Sequence, residues 1–113
     1  MRTNDNKRIY RGKWVLFAKK LCVIINLDYI NTLCKLLMYD PISNQIYEIY
    51  SHESYLYSIP TFKLANYSKD YLAILHSNKY HQFLSKFNLS SRTLTNKSLS
   101  YKYLNWLAYN EYK

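Results

Sequence analysis

Apolar residues in the first quarter of the chain fit two periods at once. Trp14, Phe17, Ala18, Leu21, Cys22 and Ile25 lie on one helical stripe. WVLF (14–17) and LCVII (21–25), however, have the aromatic and β-branched character of two short strands parted by Lys19 and Lys20. The strand reading is preferred. Residues 28–50, DYINTLCKLLMYDPISNQIYEIY, again carry two signals. Asp28 as N-cap ahead of Ile30, Leu33, Cys34 and Leu37 predicts an amphipathic helix. Further on, Asp40-Pro41 predicts a type I turn and Asn44 its left-handed exit, while Ile46, Glu48 and Tyr50 alternate with Tyr47 and Ile49 as in a strand. The combined expectation is a helix near 28–34 and a hairpin with strands near 35–40 and 45–50.

After Ser51 the segment HESYLYSIPTF has no clear period, and Pro60 holds Ile59 extended, which predicts a loop with one further short strand at 54–58. Helical signals then dominate. Ser68 is placed to cap a helix carrying Tyr71, Leu72 and Leu75, and Ser77 or Asn78 a second with Tyr80, Phe83, Leu84 and Phe87. Asn88 suits a left-handed stop, Ser90 caps a short helix with Leu94, and Ser98 or Ser100 caps a last one with Tyr101, Leu104, Leu107 and Ala108. Residues 1–8, MRTNDNKR, show no periodicity and read as a flexible basic arm ahead of a single globular domain over 9–113. The expected class is α+β: short N-terminal strands with a hairpin near 35–50, then a C-terminal cluster of three or four short helices.

Composition narrows this picture. The 113 residues are 49% apolar, enough for a core without disulfides or metal. A single glycine, Gly12, and two prolines argue against a β fold with many tight turns and against a glycine-rich phosphate loop. Cys22 and Cys34 sit in apolar surroundings without further ligands nearby and read as reduced core residues. Lys19 and Lys20 interrupt the apolar run as a secretory signal, and with Asp28 and Lys35 they break it as a membrane span, so a cytosolic chain is expected. Richness in Asn, Lys, Tyr and Ile is what an AT-rich genome encodes, such as that of a virus or mobile element acting in a host cytosol.

Charge adds the functional signal. The formal net charge is +9. Residues 1–35 hold eight basic and two acidic side chains, residues 61–113 the same, and residues 36–60 three acids with no Lys or Arg. Basic charge of this size favours an anionic partner. Arg8, Arg11 and Lys13 at the start, with Lys79, Lys86 and Lys102 later, are the expected phosphate contacts.

Residues 86–99, KFNLSSRTLTNKSL, resemble the corner of a helix-turn-helix: Phe87 ends one helix, Asn88 bends, Leu89 pins the next, and Leu94 faces back. The resemblance implies DNA reading by a unit over 79–99. Ser90 and Ser91 would offer hydroxyls and N–H groups to phosphate, and Arg92, Thr93, Asn96 and Lys97 would reach bases or backbone. It covers about one sixth of the chain. Leu84 stands where a small residue normally lets the helices approach, and Lys97 where an apolar one normally anchors the second. The plain alternative is a capped corner between two helices.

Two other roles remain open. Fourteen tyrosines exceed what a core needs. Tyr39, Tyr47, Tyr50, Tyr55 and Tyr57, with Trp106, could dock an inhibitor or adaptor of the anti-CRISPR sort onto a host nucleoprotein. The third role is a metal-independent ribonuclease using His76, Lys79, His81 and a tyrosine. A non-enzymatic role is favoured, and neither a cofactor nor a metal is required by any motif.

Overall fold

In the computed structural model, which describes residues 1–59 and 66–86, the apolar runs of the first half of the chain are strands. They are β1 (Trp14–Phe17), β2 (Lys20–Asp28), β3 (Leu33–Asp40), β4 (Gln45–His52) and, after a 3₁₀ turn at Glu53–Tyr55, β5 (Leu56–Tyr57). Two helices follow, α1 (Ser68–Leu75) and α2 (Asn78–Lys86). The strands form one antiparallel sheet in the order β4-β3-β2-β1-β5. The α+β expectation is thereby corrected: the described chain is mostly β with two helices, not short strands followed by three or four helices. The chain divides into two compact units, Met1–Ser58 and Ile59–Lys113.

Asp28 explains much of that correction. Its carboxylate accepts from the backbone N–H groups of Ile30 (3.0 Å) and Asn31 (3.2 Å) and from Asn31 Nδ2 (2.8 Å). The same acceptor that could cap a helix closes a turn instead, and Thr32 completes it with a φ of 54°. The helix expected near 28–34 is therefore the reversal between β2 and β3. The β3–β4 hairpin does follow its local code: Asp40 pairs with Gln45, and Asn44 takes a φ of 54°. Tyr39 donates its hydroxyl to Asn44 Oδ1 at 2.6 Å, fastening the loop to the strand before it.

The first hairpin turns through Ala18 (φ 49°) and Lys19 (φ 64°), the paired left-handed residues of a type I′ turn. Over residues 21–25 both faces of β2 are withdrawn from solvent. On one face Ile9, Val15, Cys22, Ile24, Cys34, Leu36 and Leu56 form a core cluster, with Phe17, Leu27, Met38 and Ile49 packed against it. On the other, Trp14, Leu16, Leu21, Val23, Leu37 and Tyr39 are buried as well. A strand buried on both faces loses its alternation, which is why 14–25 also fits a helical stripe.

One irregularity positions side chains that matter below. Pairing slips from Ile24↔Leu36 to Asn26↔Lys35, leaving Ile25 as the extra residue of a bulge. Without the slip Asn26 would face the core and Leu27 would leave it. With it, Leu27 opposes Cys34 inside and Asn26 joins Lys35 on the opposite face.

Residues 1–8, read as a flexible arm, are tied to the sheet. Arg2 and Arg8 pair across a turn at Asn6, and Asn4 N–H donates to Leu56 O at 2.7 Å. Asp5 Oδ1 accepts from Thr3 Oγ1 (2.6 Å) and from Ser58 N–H (3.0 Å). These bonds satisfy backbone groups that an arm would leave to water.

Candidate nucleic-acid interface

Within the second unit, α1 passes into α2 through His76 and Ser77. Ser77 Oγ donates to Ile74 O at 2.7 Å and accepts from Tyr80 N–H at 3.1 Å, so one hydroxyl stops the first helix and caps the second. Ser68, expected as a cap, is instead the first helical residue, and Tyr67 before it makes no side-chain cap. On α2 the buried residues are Tyr80, Phe83 and Leu84. Asn78, Lys79, His81, Gln82, Ser85 and Lys86 are exposed. Lys79, Gln82 and Lys86 follow one another along a stripe at i, i+3 and i+7. The helix contains no acid, and Lys86 complements the negative end of its dipole.

The expected contacts in the first unit divide. Arg8 and Arg11 are exposed. Lys13 is only 5% exposed: its ammonium donates to Arg8 O at 2.6 Å and lies 5.5 Å from the centre of the Tyr10 ring. It holds the segment before β1 in place instead of facing solvent. The three acids of the central block are engaged locally. Asp40 accepts from Ile42 N–H and Ser43 Oγ, Glu48 pairs with Lys35 at 3.1 Å, and Glu53 accepts from Arg2 N–H. Ser90, Ser91, Arg92, Thr93, Asn96, Lys97, Lys102 and Trp106 lie outside the described residues.

The tyrosines do not share one surface. Tyr39 is 7% exposed. Strand parity sends Tyr47 and Tyr50 to opposite faces of β4, and Tyr57 lies on β5 at the other end of the strand order. Tyr55 is exposed on the 3₁₀ turn, edge-on to His52 with ring centres 6.5 Å apart. His76, Lys79 and His81, the ribonuclease candidates, are all exposed, with Lys79 and His81 about 200° apart around α2.

Sequence reasoning missed a different grouping. On β4, β3 and β2, Tyr50 opposes Lys35 and Lys35 opposes Asn26, which makes a cross-strand row on the face away from the core cluster. An open cleft of about 210 Å³ lies there, lined by Asn26, Leu27, Asp28, Leu33, Lys35 and Tyr50. The Lys35 ammonium sits 5.8 Å from the centre of the Tyr50 ring and is held further protonated by its bond to Glu48.

Among the described residues no three His, Cys, Asp or Glu side chains gather as a metal-ligand set, and no helix is long and apolar enough to cross a membrane. Comparison with known protein families, curated proteins and solved structures finds no match for this chain.

Proposed function

We propose that the chain is a nucleic-acid-binding protein whose second unit supplies the phosphate contacts, with the exposed face of α2 among them. The observation that carries this reading is the partition of charge. Residues 59–113 hold eight Lys and Arg against two acids, whereas residues 1–58 hold eight against five, so two thirds of the net +9 belongs to the second unit. The solvent face of α2 adds ammonium, amide, hydroxyl and imidazole groups without a carboxylate among them. Such groups are the ones that make backbone contacts to nucleic acids. The helix-turn-helix reading over 79–99 stays part of this proposal, with α2 as its first helix.

The test is fluorescence anisotropy of labelled random-sequence duplex and single strand across a salt series from about 50 to 200 mM. The logarithm of the affinity is expected to fall linearly with the logarithm of salt. Replacing Lys79 and Lys86 together by Ala should reduce the duplex slope by about 2, near the 0.9 per neutralised phosphate typical of B-form DNA. Absence of binding to either strand form at the lowest salt would overturn the proposal.

A further inference from the structure

The geometry points to a base-stacking site on the first unit: we propose that the cross-strand row Tyr50, Lys35 and Asn26 receives one unpaired nucleobase of a single strand. This rests on the nucleic-acid reading and adds to it a second contact of different chemistry.

Three features of the row support it. Tyr50 is 66% exposed and stands directly opposite Lys35 on the face away from the core cluster. Its ring is a platform for a flat partner, and stacking on an aromatic side chain is worth about 1–3 kcal/mol per base. The cleft beside it, about 210 Å³, is smaller than the roughly 300–1,000 Å³ typical of drug-sized ligands and suits one ring system.

Polar groups are set around that ring plane. Asn26 Oδ1 accepts from Leu27 N–H at 2.9 Å, so the donor this exposed side chain can offer a ligand is its Nδ2 amino group. Lys35 supplies ammonium hydrogens beside the Glu48 bond. A base carbonyl is the acceptor these two donors match. Phosphate is a poor occupant, because Asp28 and Glu48 flank Lys35 and leave the locality with more negative than positive charge. Asp28 stays ionised there, its carboxyl held below the usual range by hydrogen bonds from Asn31 and Ile30.

The chain thus separates the two tasks of single-strand recognition: phosphates go to the basic second unit and a base face to a site on the sheet where acid outnumbers base. Bases in a duplex keep their faces stacked on each other, so the row acts only on unpaired strands. The β2 bulge is the device that builds the row, since without it Ile25 would stand opposite Lys35.

The experiment compares wild type, Tyr50→Ala, Tyr50→Phe and the Lys79→Ala/Lys86→Ala pair on labelled oligothymidine and on a duplex of equal length. Tyr50→Ala should weaken single-strand binding about tenfold, within the stacking range, and leave duplex binding unchanged. Tyr50→Phe should restore it. Equal loss on both strand forms, or no loss on the single strand, would overturn the inference while leaving the phosphate reading intact. Absence of any wild-type binding would remove the proposed function and this site with it. As a readout independent of variant folding, thymidine monophosphate should shift the NMR signals of the Tyr50 ring and the Asn26 side-chain amide. Shifts confined to α2 would count against the row.

Discussion

Ala18 and Lys19 show what a single turn asks of residues not suited to it. A left-handed L-residue costs about 1–2 kcal/mol, and this two-residue turn contains two of them without glycine or asparagine. Replacing the pair by Asn-Gly, the usual type I′ solution, should raise stability by about 1 kcal/mol, read as a higher urea midpoint at unchanged slope. A lower midpoint would show that the turn does not need positive φ at both places. Cys34 makes a second residue-level case. Burial, and next the charge of Glu53, push its thiol up to about 11. Cys22 is fully buried as well. Neither cysteine should react with a thiol reagent at neutral pH until denaturant opens the sheet. Fast labelling of Cys34 in the native protein would contradict this placement.

At the scale of elements, legibility follows where conformation is decided. The β3–β4 hairpin could be read because Pro41 and Asn44 carry their dihedral preferences with them. The strand expected within 54–58 is found at Leu56–Tyr57, and Ser77 caps α2 as its position suggested. Asp28 could not be resolved from sequence, since its carboxylate serves a helix start or a turn equally well and only pairing of β2 with β3 chooses between them. The bulge at Ile25 was hidden for a related reason: it depends on which residues of β3 stand opposite. Hence the row of Asn26, Lys35 and Tyr50, separated by nine and fifteen positions, was not visible as a group. The charge of Lys13 is evident in sequence and predicts a phosphate contact, whereas its bond to Arg8 O needs the folded path of residues 8–13.

For the whole molecule, acid is the informative stress. Asp28 and Asp40 have carboxyls held below their usual range, by Asn31 and by the Ile42 N–H respectively. At Asp5 burial acts to raise the value, but the hydrogen bonds from Thr3 and Ser58 together outweigh it and the net shift is downward. A folded-state value below the unfolded one contributes stability that is complete above about pH 4, the ordinary aspartate value, and is lost as pH falls through the folded value. The urea midpoint should therefore be level from neutrality to about pH 5 and decline below pH 4, with Asp5→Asn showing a shallower decline. A midpoint unchanged down to about pH 2 would mean these carboxylates do not hold the turns. The position of β5 has a last consequence, for synthesis. β1 pairs on one side with β2 immediately after it, but on the other with residues about 40 positions later, where Phe17 meets Leu56. At a ribosomal pace of about 5–20 residues per second, the growing polypeptide leaves that flank of β1 unmatched for roughly 2–8 seconds. During that interval the nascent meander is most open to capture by a neighbouring chain.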